Sequence, residues 1–262
     1  EAIRVTLMKH FRTIPCLLHK NEGLVKGIKF KKHKYIGDPI NSIKIFNDKG
    51  VDELIYLNIE NSIKNQEPDL DYIKKITNEC FVPLCYGGGI QTCDHILKIL
   101  ELGVEKVAIN TGYTTKKNLI SEAANKTGSQ SIVGVIDYKK SLLGSEKTTI
   151  KSGSKNLNKS PLELAKDLER QGVGEIMLNS IDRDGTRSGF DLDMISHISS
   201  AVSVPVIASG GSHSIEDFKS AKNAGASAAA AGSQFVFYGQ NNAVLINYPI
   251  TEELREEFFF DH

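Results

Sequence analysis

The sequence predicts an α/β protein with a single-domain (β/α)₈ TIM barrel, for three reasons. Eight short apolar segments typical of buried parallel strands alternate with eight amphipathic segments of helical period. The length of 262 residues fits one such barrel, which typically needs about 250. The two halves of the chain also repeat each other. No linker-like stretch divides residues 1–262, and a doubly wound open sheet is the alternative for the same alternation.

The internal repeat has a constant offset. Glu53 and Glu175 occupy equivalent positions in two similar strands, and 175 minus 53 is 122. Residues 82–88 align with residues 204–210 at this same offset, and a Gly-Val pair then aligns with a Gly-Ala pair. Three matches at one offset indicate two homologous half-barrels, each built from strand and helix units.

Individual strands are predicted from short runs of β-branched and long aliphatic residues that end in glycine or polar turns. The clearest is 175–180, which begins after Gly174 and ends at the turn Asp-Arg-Asp-Gly. The predicted strands are 13–18, 53–58, 83–87, 106–110, 131–137, 175–180, 205–209 and 228–231. The predicted helices are 39–48, 69–79, 93–101, 117–127, 161–171, 192–201, 214–223 and a last one after Asn241, whose aromatic residues would cover the barrel.

Composition excludes several classes of function. Lys plus Arg and Asp plus Glu both number 32, so the formal net charge is zero and a nucleic-acid partner is not expected. The short basic cluster 29–34 is interpreted as a solvated loop after the first strand, although the first loop of a barrel can also fold over an anionic substrate. The four cysteines lack the spacing of metal ligands, and no signal or membrane-spanning segment is visible. We expect a cytoplasmic protein with reduced thiols, without a metal or cofactor and without membrane association.

Carboxylates and hydroxyls follow the sixth predicted strand. Asp182, Asp184 and Asp191 lie just past its carboxyl end, with Thr186 and Ser188 between them. Barrel enzymes build their sites at this end of the strands. The pattern therefore predicts chemistry in this loop, and the alternative is a solvated acidic turn.

Small residues end the third, fourth, seventh and eighth strands. Such loops expose backbone N–H groups that can hold phosphate, so each neighbouring pair of loops predicts one phosphate site. The pattern indicates a phosphorylated small-molecule ligand across the barrel mouth, although glycine also serves tight turns. The predicted phosphate-binding residues are Gly88, Gly89, Asn110, Thr111, Ser209, Gly210, Gly211, Gly232 and Ser233, with Asp182 and Gly185 from the sixth loop.

Several motifs resemble those of the HisF family, the cyclase subunit of imidazole glycerol phosphate synthase. They include R-T-I-P-C-L, P-L-C-Y-G-G-G-I, G-S-Q-S-I-V-G-V-I-D and G-E-I-M-L-N-S-I-D-R-D-G-T-R-S-G-F-D, and the resemblance covers about residues 10–240. It implies a heterodimer with a HisH-like glutaminase. In that family, ammonia from the glutaminase passes along the barrel axis and attacks a bisphosphorylated ribonucleotide.

The resemblance also assigns catalytic residues. The family uses two aspartates, at the ends of strands one and five. Asp137 matches the second, but Leu18 occupies the position of the first. Lys26 and Asp184 are the expected supporting residues. Because leucine cannot transfer a proton, and loss of a general acid or base costs about 10²–10⁴ in rate, cyclase activity is doubtful. His19 is expected to point to the other face of the strand.

A further implication of the resemblance is an ammonia gate at the bottom of the barrel. Arg12, Glu53, Lys106 and Glu175 match a ring of alternating charges at the starts of alternate strands. The alternative is a purely structural salt-bridge layer, since residues at this face of barrels usually serve stability.

Three functions therefore stay open. The first strand resembles the WbuZ-type branch of the family, which implies ammonia delivery for amidation of a surface-polysaccharide (lipopolysaccharide) sugar, with a sugar amidotransferase as a possible further partner. The second function is a working cyclase in histidine biosynthesis. The third is a non-catalytic activator of the glutaminase. Leu18 argues against the second function but does not separate the first from the third.

Overall fold

A computed structural model describes residues 11–141, 144–239 and 242–249. At its centre, eight parallel strands form a closed barrel, because the last strand pairs with the first and the fifth with the sixth. The predicted (β/α)₈ barrel is confirmed. The barrel strands are β1 (Arg12–Lys20), β2 (Leu54–Asn58), β3 (Leu84–Gly87), β4 (Lys106–Ile109), β5 (Ile132–Lys140), β6 (Glu175–Ser180), β7 (Val206–Ser209) and β8 (Ala228–Ala231).

Helices surround the barrel, and local capping determines where they begin. Asp38 accepts a hydrogen bond from the Asn41 backbone ahead of a proline at the first helical turn, and Ser160 and Glu163 form a capping box. The long helices are Pro39–Asp48, Leu70–Glu79, Cys93–Glu101, Leu119–Thr127, Pro161–Gln171, Leu192–Ser199 and Ile215–Asn223. Short helices are Asn61–Lys64 and Ser233–Val236, with 3₁₀ turns at Gly112–Thr114 and Ser129–Ser131.

Residues 242–249, at the start of the helix predicted after Asn241, are not helical: Ala243–Val244 pairs with Phe237–Tyr238 in a small hairpin. The remainder of that predicted helix lies outside the described residues. Across the described segments, no helix is both long and apolar enough to cross a membrane.

Two antiparallel excursions rise from the carboxyl ends of β1 and β5. The first is the hairpin Gly23–Ile28 and Lys31–Gly37; residues 29–34 are largely exposed, as expected, but they form its turn and the start of its second strand. Its second strand begins with four consecutive polar residues and is largely exposed, whereas its first strand is buried. The second excursion joins Glu146–Ile150 to β5 and to Lys155–Asn156. Both add secondary structure above the mouth of the barrel.

The core has two layers. Large aliphatic and aromatic side chains fill the space between the strands and helices. The inside of the barrel contains a separate apolar cluster that mixes branched residues such as Ile14, Val133 and Ile207 with small ones such as Cys16 and Ala230. Barrel interiors are usually filled by bulky branched side chains, and here alanines and cysteines replace part of them.

The two half-barrels repeat each other in backbone detail. Gly88 and Gly210, which are 210 − 88 = 122 residues apart, have φ angles of 123° and 87°. A Cβ at Gly88 would lie 2.3 Å from the Asn58 carbonyl oxygen, and one at Gly210 would lie 2.6 Å from that of Ser180. Asn58 and Ser180 are themselves 122 residues apart. The predicted half-barrel repeat therefore extends to the close approach of neighbouring loops.

Replacing Phe218 with alanine should destabilise the fold strongly. Phe218 is 1% exposed, and its ring centroid lies 5.6 Å from that of Phe190 and 5.9 Å from that of Phe235. We expect a loss of about 3–5 kcal/mol in the free energy of unfolding, measured by chemical denaturation. The control is Phe81→Ala, at a ring that is 80% exposed, where the change should stay within about 0.5 kcal/mol. Equal losses in the two variants would contradict this packing.

Candidate active site and charged ring

A cavity of about 350 Å³ opens at the carboxyl ends of the barrel strands. The three predicted catalytic residues, Asp137, Lys26 and Asp184, all line it. So do ten of the predicted phosphate-binding residues: Gly88, Gly89, Asn110, Thr111, Gly185, Ser209, Gly210, Gly211, Gly232 and Ser233. The structure thus brings nearly the whole predicted set together at one mouth.

Asp137 is a buried carboxyl in the wall of this cavity. Its Oδ1 accepts a hydrogen bond of 2.9 Å from Asn179 Nδ2, and the two residues are paired across β5 and β6. Burial raises the pKa of Asp137 to about 7; the charge of Asp184 acts in the same direction, and the Asn179 hydrogen bond opposes them. Near neutral pH such a group can both accept and donate a proton.

Lys26 and Asp184 form a buried ion pair beside Asp137. The Lys26 ammonium lies 3.4 Å from Asp184 Oδ1, and the Lys29 backbone donates to the Asp184 carbonyl oxygen at 2.9 Å. The first hairpin is therefore docked on the loop after β6. A Cβ at Gly232 would come within 2.5 Å of the Lys26 ammonium, so glycine there leaves room for the charge next to the loop after β8.

Leu18 stands where the second half of the barrel carries Asp137. Leu18 pairs with Leu57 across β1 and β2, as Asp137 pairs with Asn179 across β5 and β6. The side chain of Leu18 lines the cavity. His19 points to the other face, as predicted: its ring stacks on Tyr72 at 5.1 Å, and burial lowers its pKa.

The glycine loops form two related cradles. Gly88 and Gly89 end β3, and Gly210 and Gly211 end β7, all with positive φ that suits glycine. In the first cradle the side chains are already engaged, because Thr111 Oγ1 accepts from the Lys151 backbone at 3.0 Å. The second cradle adjoins the Lys26 ammonium. Both expose main-chain groups of the kind that bind phosphate.

Asp182 is the one predicted phosphate-binding residue outside the cavity lining. Its Oδ2 accepts from the Lys140 backbone at 2.7 Å. Glu60, which is 182 − 60 = 122 residues earlier, likewise accepts from the Asn21 backbone at 2.8 Å. Each carboxylate therefore holds the chain as it leaves β5 or β1, which is a positioning role shared by both halves.

The cavity lining also includes residues that the sequence analysis does not predict, among them Phe30, His33 and Ser152. Phe30 and His33 belong to the first excursion and Ser152 to the second. Ser152 Oγ donates to the Ile59 carbonyl oxygen at 2.9 Å, and a Cβ at Gly153 would lie 3.2 Å from the Phe30 ring. The two excursions thus meet over the mouth. The one sequence feature that could have indicated a contribution of this segment to the cavity is the aromatic residue Phe30 within the basic cluster 29–34.

A closed ring of four charges lies at the opposite end of the barrel. Arg12 Nη1 donates to Glu53 Oε2 at 2.6 Å, and Arg12 also pairs with Glu175. Lys106 Nζ lies 3.1 Å from Glu53 Oε2 and 3.0 Å from Glu175 Oε2. Burial alone would lower the pKa of Lys106, but the charges of Glu53 and Glu175 outweigh it and raise that pKa. The side chains predicted as a ring are therefore in contact.

Comparison with known proteins now adds to this geometry. The sequence profile of the histidine biosynthesis protein family matches residues 12–242. The chain is 53% identical over 244 residues to a Pseudomonas aeruginosa protein named as imidazole glycerol phosphate synthase subunit hisF2, covering 93% of this chain and 97% of the relative. This chain belongs to the HisF family.

Other HisF relatives agree over the same length. A Vibrio vulnificus protein named as subunit hisF3 is 43% identical over 256 residues, which is 97% of this chain and 98% of the relative. The imidazole glycerol phosphate synthase subunit HisF of Campylobacter concisus is 42% identical over 232 residues, covering 88% and 92% of the two chains. The match therefore spans the whole barrel, including both the cavity and the ring.

The stability of this HisF-family chain should depend on the ionisation of Asp137. Its pKa of about 7 in the folded state exceeds the ~4 of an exposed aspartate, so the folded state binds more protons between these pH values. Relative to Asp137→Asn, the wild-type free energy of unfolding should fall by about 4 kcal/mol as pH rises from 4 to 8. Denaturant titrations at several pH values measure this difference. If the difference in unfolding free energy between the two proteins stayed constant or rose with pH, the raised pKa of the buried Asp137 would be contradicted.

Proposed function

We propose that this chain is the synthase subunit of a glutamine amidotransferase. It receives ammonia from a HisH-like glutaminase docked at the charged ring and delivers it to a phosphorylated acceptor in the upper cavity. The observation that carries the proposal is the arrangement along one axis: the ring, an apolar interior, and the cavity.

The ring has the properties of an entry that excludes ions. Its four charges pair with one another, with N–O distances of 2.6–3.1 Å for the Arg12–Glu53, Lys106–Glu53 and Lys106–Glu175 pairs. A hydrated ion that entered the barrel would lose its water among apolar side chains such as Ile14 and Ile207, at a large cost. Neutral ammonia is small, and removing it from water costs much less free energy than removing an ion. One lysine that moves aside would be sufficient to admit ammonia.

The cavity supports a phosphorylated acceptor. Glycine loops on two sides expose main-chain N–H groups, and the Lys26 ammonium lies beside one of them. Asp137, with a pKa near neutrality, is available to take the proton that an attacking ammonia must lose. These residues supply binding and one proton-transfer group.

Leu18 is the reason to favour amidation over cyclisation. A second carboxyl at this position would give the acid and base that a two-proton cyclisation uses, whereas the Leu18–Leu57 pair supplies neither. The resemblance of the first strand to the WbuZ-type branch supports a surface-polysaccharide sugar precursor as acceptor, with a sugar amidotransferase as second partner. A non-catalytic activator of the glutaminase would need the same docking but no acceptor chemistry.

The second candidate is a working cyclase of histidine biosynthesis. Asp137, Lys26 and Asp184 are all in place in the cavity, and the relatives carry the name imidazole glycerol phosphate synthase subunit. In this case Asp137 alone would serve as both acid and base.

Cyclase turnover distinguishes the two. With ammonium salts and the bisphosphorylated ribonucleotide of the histidine pathway, the wild-type chain should be at least about 10² slower than a two-carboxylate enzyme. Leu18→Asp should raise or create the activity. Leu18→Asn should not, because asparagine has the size of aspartate but cannot ionise. Product formation followed by absorbance or mass spectrometry measures this. Wild-type turnover in the usual enzyme range of about 1–10³ s⁻¹ would replace the amidation proposal with the cyclase.

A further inference from the structure

We infer that Leu18 and Leu57 determine specificity, and that the cavity selects a phosphorylated ligand with an alkyl or methyl-bearing middle over one with a hydroxylated middle. This inference rests on the proposed function only in assuming that a phosphorylated compound occupies the cavity. It concerns what lies between the two glycine cradles.

The evidence begins with the register of the two halves. In the second half, Asp137 and Asn179 are paired across neighbouring strands and hydrogen-bonded at 2.9 Å. The equivalent pair in the first half is Leu18 and Leu57, since 179 minus 57 is 122. One wall of the mouth therefore carries a carboxyl and an amide, and the facing wall carries two isobutyl groups.

The leucines are accessible from the cavity. Both line it and are half-buried, whereas Asp137 and Asn179 are only 7% and 8% exposed. Two leucines that are partly exposed inside a barrel form a contact surface for a ligand, because removing their apolar surface from water on binding is favourable. Below them, Cys16, Ala108 and Ala230 continue the apolar surface into the barrel.

The polar residue next to Leu57 does not compensate. Asn58 follows Leu57 and also borders the cavity, but its Oδ1 accepts from the Glu60 and Asn61 backbones at 3.1 Å each. Its Nδ2 lies 3.3 Å from His19 Nδ1. The amide is thus committed to the loop after β2. Lys20, two residues beyond Leu18 and the last residue of β1, also borders the cavity.

The consequence for a ligand is a difference in affinity. Each methylene buried against the leucines should strengthen binding about fourfold. A hydroxyl pressed against the same surface loses its hydrogen bonds to water without replacement, which costs roughly tenfold or more. The cavity should therefore prefer compounds whose middle is apolar on the side facing Leu18 and Leu57.

Two matched probes test this inference by isothermal titration calorimetry. Pentane-1,5-diol bisphosphate and xylitol 1,5-bisphosphate have the same length and phosphate charge and differ in three central hydroxyls. Wild-type protein should bind the pentanediol compound at least about tenfold more tightly. The double variant Leu18→Asp with Leu57→Asn copies the Asp137–Asn179 pair and should reverse the preference. The apolar control, Leu18→Met with Leu57→Met, should keep it.

The wild-type comparison stands even if the double variant does not fold. Equal binding of the two probes, or preference for xylitol bisphosphate, would overturn the inference, as would an unchanged ratio in a folded double variant. Titration with inorganic phosphate separates this failure from that of the proposed function. If phosphate binds while wild-type protein does not discriminate between the probes, only the specificity inference falls. If neither phosphate nor either probe binds, the phosphorylated acceptor falls as well.

Discussion

The register of the closed barrel is the constraint on which the rest of the structure depends. Closure through the β8–β1 and β5–β6 pairings fixes, for every strand, which residues face the axis. A shift of one residue in β1 would turn Leu18 outward and bring His19 to the mouth. It would also remove Arg12 from the ring. The position of each functional side chain is thus a consequence of strand pairing, and side-chain interactions such as Asp137–Asn179 refine it.

Within this register, the two halves share their backbone but differ in their charges. The glycines at 88 and 210 repeat the same close approach to the neighbouring loop, and Glu60 and Asp182 repeat the same support of the chain. By contrast, Asp137 and Asn179 line the cavity from β5 and β6, whereas Leu18 and Leu57 line it from β1 and β2. A symmetric scaffold therefore presents an asymmetric site, with a carboxyl and an amide on one wall and apolar side chains on the other, while Lys26 from the hairpin after β1 forms an ion pair with Asp184.

Much of the fold could be predicted from the sequence because periodicity and glycine punctuation report barrel strands directly. The predicted strand 175–180 and helix 161–171 coincide with Glu175–Ser180 and Pro161–Gln171. The first hairpin could not be predicted in this way, since Lys31–Gly37 is largely exposed and polar and gains its order from pairing with Gly23–Ile28. The same hairpin buries Lys26, which only tertiary contact with Asp184 explains. Asp182 is predicted to bind phosphate from its place in the loop next to Asp184. The sequence does not reveal that its side chain instead accepts a hydrogen bond from the Lys140 backbone.

The most direct test of the ammonia path concerns Lys106 in the complex with the glutaminase. Lys106→Met should open the ring and let ammonia escape, so that transfer of ¹⁵N from amide-labelled glutamine into the amidated product falls relative to glutamate formed. Lys106→Arg, which keeps the charge, should preserve most of this ratio. A purely structural ring would instead lose stability, by about 3–5 kcal/mol for a broken buried pair, as measured by denaturant unfolding of the same Lys106→Met sample. An unchanged product-to-glutamate ratio together with that loss of stability would contradict the conduit.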